Sequence, residues 1–253
     1  MKPWILMYHS VADYRDDPYL VTVRPERLDA QFSWLRRGGL RGVGVGELLA
    51  ARSRGAARGL VGLTFDDGYR DFADTVVPLL HRHGFGATVY VVAGMLGGQN
   101  HWDPEGDRKD LMTAADVAAV ADAGMEVGAH GMTHVRLDGS IDAAGLAREV
   151  SASGHVLSDL VGRPVTGFCY PYGAHDARTV TAVAAAGYDH ACATGRPPDP
   201  GPLALPRTYV GDRDGALRLA AKRGRHAAAE VREAAGARPA SREGPPLSTA
   251  GRG

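Results

Sequence analysis

Cysteine is almost missing from this chain: Cys169 and Cys192 are the two in 253 residues. That is too few for a disulfide framework, and their apolar flanks read as buried, reduced strand positions. Net charge is missing too. The 29 basic and 29 acidic side chains cancel, leaving no overall field to favour nucleic acid or an anionic membrane. Such a balance suits a neutral carbohydrate substrate without selecting one. Long apolar runs are also lacking. Nothing approaches the ~20 residues of a membrane span, and the run that follows Lys2 falls short of the ~7–15 residues of a signal-peptide core. The expectations are a cytoplasmic location, no nucleic-acid partner and no membrane span. No internal repeat is visible.

What is present is an alternation of short apolar runs with helical stripes. Trp4 to Tyr8, Leu60 to Phe65, Ala87 to Ala93, Met125 to Ala129, Val165 to Tyr170 and His190 to Thr194 read as strands. Helical spacing occurs over 24–37, where Leu28, Phe32 and Leu35 fall four and three apart, and again over 72–83, 113–123, 141–161 and 177–186. Thr113 caps one of these helices, with Asp116 three residues on. Alternation of this kind predicts a parallel sheet with helices outside it, open or closed into a barrel. Residues 1–220 are expected to form a single α/β domain. From 221 to 253 Ala, Arg, Gly, Pro and Ser dominate, and a disordered tail is expected.

Two clusters of chemistry-bearing residues sit at predicted strand ends. In Leu63-Thr64-Phe65-Asp66-Asp67-Gly68 two carboxylates adjoin. They repel unless a cation or proton lies between them, which suits a metal ligand beside a general base; a solvated turn is the plainer alternative. In His130-Gly131-Met132-Thr133-His134 two imidazoles at i and i+4 can reach one metal ion over a helical turn or a tight loop. Both clusters fall at the carboxyl ends of strands, where an α/β barrel gathers its catalytic groups. One carboxylate and two imidazoles leave coordination positions open, as catalytic metal sites require. The other carboxylate, Asp66, is then free to take a proton from water, and metal-assisted hydrolysis is the reaction class implied.

At these residues the sequence resembles the NodB-like polysaccharide deacetylases, carbohydrate esterase family four. Thr64-Phe65-Asp66-Asp67-Gly68 resembles the family's first motif, His130-x-x-x-His134 its second, and Phe168-Cys169-Tyr170-Pro171-Tyr172-Gly173 its third. The resemblance implies a distorted (β/α)7 barrel and removal of N-acetyl groups from amino sugars in a polysaccharide, oligosaccharide or conjugate. It implies Asp66 as general base and Asp67, His130 and His134 as ligands of a divalent ion, Zn2+ foremost, with Co2+, Ni2+ or Fe2+ as alternatives. Pro171 and Tyr172 would line the substrate groove, the Tyr172 N–H helping to bind the oxyanion.

The chain departs from that pattern at three points. Gly131 stands where the second motif usually has Ser or Thr. Cys169 stands where the third usually has an Arg that orients the catalytic Asp. The late Leu-x-His motif, source of the acid histidine, is missing. Leu6-Met7-Tyr8-His9-Ser10-Val11 resembles the start of a circularly permuted subgroup typified by poly-N-acetylglucosamine deacetylases, which makes His9 the candidate acid. Leu205-Pro206-Arg207 resembles a late segment of that subgroup. Arg207, counted with the substrate-binding residues, is the candidate replacement for the missing Arg as partner of Asp66. Competing readings are hydrolysis of another amide on the same barrel, an inactive carbohydrate-binding relative, and a non-haem iron oxygenase. The last usually uses a jelly roll, which the helical alternation opposes.

Overall fold

In the computed structural model, residues 3–194 and 201–234 are described. The strands are β1 (Ile5–Tyr8), β2 (Ser10–Val11), β3 (Thr22–Val23), β4 (Arg41–Val43), β5 (Leu60–Phe65), β6 (Thr88–Val91), β7 (Glu126–Ala129), β8 (Gly167–Cys169), β9 (His190–Cys192) and β10 (Thr208–Tyr209). The helices are α1 (Pro25–Arg37), α2 (Val45–Ser53), α3 (Val77–His83), α4 (Ala114–Asp122), α5 (Ala143–Ala147), α6 (Ser153–Val161), α7 (Ala177–Ala185) and α8 (Ala216–Ala234).

One parallel sheet runs in the order β10-β1-β5-β6-β7-β8-β9, with β4 also paired to β5. A parallel bridge between Cys192 and Leu205, supported by Ala193 N–H donating to Leu205 O at 2.9 Å, ties β9 to the segment that leads into β10. The architecture is a distorted (β/α)7 barrel. Its core is continuous because the strands are apolar on both faces: β1, β6, β8 and β9 are buried throughout, as expected where helices cover a parallel sheet.

Register settles which residues meet at the rim. Tyr8 pairs with Phe65, so His9 emerges beside Asp66. Val91 pairs with Ala129 and Ala129 with Phe168, so His130 and Cys169 emerge next round the same edge.

The helices follow local signals. Pro25 opens α1, where its missing N–H costs nothing. Thr113 and Asp116 form a reciprocal capping box on α4, and Gly84 ends α3 at φ 67°, a conformation glycine adopts freely. The expected helix over 141–161 is present as α5 and α6 with a π-helical turn, Arg148–Ala152, between them. The short elements β2, β3, β4, α2 and β10 were not anticipated. One expectation needs correction: the chain is not a tail from residue 221, because α8 continues to Ala234. Leu219 and Ala229 are buried, and Trp4 stacks on His226 with ring centroids 6.1 Å apart. Residues 235–253 of the expected tail lie outside the described residues. No helix among the described residues is long and apolar enough to cross a membrane.

Candidate active site

Asp67, His130 and His134 converge. Asp67 Oδ1 lies 3.3 Å from His130 Nε2 and 3.2 Å from His134 Nε2, and all three residues are buried. His130 Nδ1 is 2.8 Å from the carbonyl oxygen of Cys169. A carbonyl only accepts, so Nδ1 carries the proton in the neutral ring and Nε2 presents a lone pair to Asp67. Asp67 Oδ1 is itself buried with no hydrogen-bond donor. Lone pairs facing one another in a dry pocket call for a cation. Separations of 3.2–3.3 Å match the roughly 3.3 Å edge of a tetrahedron of ligands about 2.0–2.1 Å from zinc. The residues present fit a divalent metal.

The three groups are electrostatically coupled. Burial opposes ionisation of Asp67, yet the His134 and His130 rings hold its carboxyl well below the usual range. For His130 burial works against charge, but the Asp67 and Asp66 carboxylates outweigh it and raise the pKa; for His134 burial prevails and lowers it.

Backbone strain concentrates here. Four non-glycine residues among those described have positive φ, and three are Asp67 (74°), His134 (58°) and Tyr172 (58°). Each such conformation costs on the order of 1–3 kcal/mol, and such strain collects at functional sites. His130 and His134 are therefore joined by a tight loop and not by a helical turn. The backbone beyond β6 grips that loop, with the N–H groups of Ala93 and Gly94 donating to the carbonyls of Gly131 (2.9 Å) and Met132 (3.0 Å). The His134 ring is held between Trp102, stacked at 4.2 Å, and Tyr172, edge-on at 4.7 Å.

The loop has a further brace that the sequence did not disclose. Glu149, 2% exposed, accepts from the N–H groups of Met132 (2.7 Å) and Thr133 (2.9 Å) and from the Thr133 hydroxyl (2.6 Å). A Cβ on Gly131 would stand 2.9 Å from Glu149 Oε2, at φ +76°. The carboxylate thus braces the loop where a motif hydroxyl is lacking. Its signal in the sequence is one acid on the inward stripe of the 141–161 helix.

Asp66 sits on a guanidinium. Arg207 Nη1 donates to Asp66 Oδ1 at 2.6 Å and Nη2 to Oδ2 at 2.7 Å. Arg207 also reaches the Thr64 hydroxyl (3.1 Å), the Ala193 carbonyl (3.2 Å) and Cys169 Sγ (3.1 Å). Burial would push Asp66 up, but Arg207 beside it holds its carboxyl below the ordinary value. With that cation in place, the neighbouring trio Asp66, His130 and Cys169, also close enough to share an ion, is already neutralised. The Arg207 side chain has no exposure, so its guanidinium lies beneath the site.

His9 Nε2 stands 3.8 Å from Asp66 Oδ2, its side chain 17% exposed, so the ring borders both the carboxylate and solvent. Tyr172 is 47% exposed beside buried Pro171, at the same edge. Asp103, next to Trp102, is buried and lies 3.5 Å from the Tyr69 hydroxyl; burial, then the Asp67 charge, raises its pKa to about 6.

Residues 53–191, more than half of the chain, match the family model described as polysaccharide deacetylase. The chain belongs to the polysaccharide deacetylase family. Among relatives of this family, the chain is 25% identical over 186 residues to YxkH of Bacillus subtilis, a protein named as a polysaccharide deacetylase, covering 73% of this chain and 61% of that one. It is 34% identical over 87 residues to the poly-beta-1,6-N-acetyl-D-glucosamine N-deacetylase of Escherichia coli K12, covering 31% and 13%. The chain thus spans less than two thirds of these relatives. In fold it is similar to the deacetylase PplD of Streptococcus pyogenes, solved with acetate, at a TM-score of 0.73 and 23% identity over 88% of this chain and 98% of that one.

Proposed function

We propose that the chain hydrolyses the N-acetyl group of an amino sugar, in an N-acetylglucosamine-containing polysaccharide, oligosaccharide or conjugate, with a divalent ion, Zn2+ foremost, held by Asp67, His130 and His134. The observation that carries this reading is the convergence of those three donor atoms beside a carboxylate kept ionised by a buried guanidinium. When bound, the ion supplies Lewis-acid polarisation of the amide carbonyl and acidifies water.

The rest follows from the chain's own groups. Asp66, ionised at neutral pH, takes the proton from the attacking water. Arg207 grips both carboxylate oxygens and so fixes where the free lone pairs point. The tetrahedral oxyanion is received by the N–H of Tyr172, a residue held in left-handed backbone beside His134. The amine leaves poorly unprotonated, and protonated His9, across from Asp66, is placed to donate to it. Trp102 and Tyr172 shield the His134 face from water and offer flat surfaces to a sugar ring.

Metal-loaded protein should release acetate from chitooligosaccharides or poly-N-acetylglucosamine, and a chelator should stop it. Activity that survives His130→Ala with His134→Ala defeats the metal assignment. Asp66→Asn should abolish turnover while metal stays bound; loss of metal instead would reverse the roles of the two aspartates. Near-normal amide hydrolysis by His9→Ala would remove its acid role.

A further inference from the structure

A cavity of about 690 Å3 lies apart from the site just described. It opens between the 14–22 loop, the residues after β10 and the first turns of α8. Four carboxylates and five cations line it, and their pairing is uneven. Asp17 accepts from the N–H groups of Val21 (3.2 Å) and Thr22 (2.7 Å). Asp212 is taken by Arg24 at 2.8 Å and by the Tyr14 hydroxyl at 3.0 Å. Asp214 is taken by Lys222 and by the Gly211 N–H at 2.8 Å. Asp16 is exposed on the loop. Arg15, Arg213, Arg218 and Arg225 therefore face the cavity with no carboxylate within 4 Å among the described residues.

This surplus is local, since the whole chain is neutral. Arg218, Lys222 and Arg225 recur at i, i+4 and i+7, one face of α8. The amino end of that 19-residue helix adds its partial positive charge at the same place. Clustered guanidiniums repel, and an anion that draws hydrogen bonds from several of them relieves the repulsion. Tetrahedral phosphate oxygens match the guanidinium fork, and the Tyr209 ring, at the cavity wall, supplies a flat apolar surface.

Position links the cavity to the candidate chemistry. Met7 pairs with Tyr209, so the cavity lies at the rim on the far side of β1 from Asp66, and His9 follows the end of β1, two residues beyond Met7. An acetylated sugar at the catalytic rim would extend toward the arginines.

We propose that this cavity is a phosphate-binding subsite and that the amino-sugar substrate is a phosphate-bearing conjugate, a sugar phosphate or a nucleoside diphosphate sugar. The substrate clause rests on the deacetylase reading; binding of phosphate does not. The test is calorimetric titration of the protein with pyrophosphate at ~0.15 M salt, for the wild type, for Arg218→Glu with Arg225→Glu, and for a control with the same charge change at the carboxyl end of α2, Arg52→Glu with Arg54→Glu. Saturable binding with a Kd of about 1 mM or tighter is expected in the wild type and the control. A loss of about tenfold or more is expected in the cavity variant, since charge-assisted hydrogen bonds to the anion are lost and like charge replaces them. No saturable binding in the wild type, or equal loss in both variants, overturns the subsite.

In the second arm, kcat/KM for acetate release is compared for N-acetylglucosamine 1-phosphate, UDP-N-acetylglucosamine and N,N′-diacetylchitobiose. The ratio of phosphorylated to neutral substrate should fall about tenfold in the cavity variant, and the preferred phosphorylated substrate identifies the source. An unchanged ratio overturns the substrate clause. If no substrate is turned over, the deacetylase reading fails and the titration still decides the subsite.

Discussion

Replacing Arg207 by Met isolates what the buried guanidinium does. Arg207 has no side-chain exposure, and its loss leaves the Asp66 carboxylate, 3% exposed, without its two hydrogen bonds of 2.6 and 2.7 Å. Orphaning one member of a buried ion pair costs about 3–5 kcal/mol, and about 2–4 °C of Tm is lost per kcal/mol in a domain of this size. A Tm fall of about 6–20 °C is expected at pH 7. The pH dependence gives the sign. Asp66 is held below its ordinary value in the folded chain, so its contribution is present above the unfolded carboxylate pKa, near 4, and is lost as pH falls through the folded value. In Arg207→Met that acid-side loss should vanish or reverse, because the orphaned carboxylate prefers its proton. Thermal scans from pH 3 to 7 measure this, and Asp66→Asn with Arg207→Met should be less destabilised than the two single changes summed. A Tm fall below 2 °C, or strict additivity, would show that the pair is not coupled. The acid limb of acetate release should also move to higher pH in Arg207→Met; an unmoved limb refutes the claim that Arg207 keeps Asp66 ionised.

Glu149→Ala removes all three acceptor contacts on the loop between His130 and His134, so zinc affinity should fall about 10–100-fold, read by competition with a chromophoric chelator. Gly131→Ser, which restores the residue more usual in the second motif, should lower stability by about 1–3 kcal/mol in denaturant titration. Its Cβ would crowd Glu149 at positive φ. Cys169→Arg should unfold at lower temperature than the wild type, because Arg207 already bonds Cys169 Sγ and Asp66; adding Arg207→Ala should recover part of the loss. Trp102→Ala removes the ring stacked on His134 and should raise KM more than it lowers kcat if Trp102 serves as a sugar platform; an effect on kcat alone argues against that role.

Much of the fold and half of the site could be read from the chain itself, because those features are local. Leu60 to Phe65 is a buried strand by its apolar run, the Thr113–Asp116 box starts a helix wherever it occurs, and Asp66-Asp67 with His130-x-x-x-His134 carries ligand chemistry within five residues. Local composition misled at α8. Alanine and arginine with few large apolar residues resemble a tail, yet both favour helix, and contacts of Trp4 with His226 and burial of Leu219 hold that helix to the barrel. β4 and β10 were missed because strands of two or three residues carry no periodicity and exist through their pairing with β5 and β1.

What the tertiary structure alone decided was distance between residues far apart in the chain. Arg207 reaches Asp66 across 141 positions, Glu149 carries the ligand loop from a helix, and β1 sets His9 beside Asp66 through one register pairing. The sequence named the candidate metal ligands because a metal needs particular donor atoms, and donor atoms are residue types. It left their supports open because a hydrogen bond to Asp66 or to the Met132 N–H can come from any element that the barrel brings within about 3 Å.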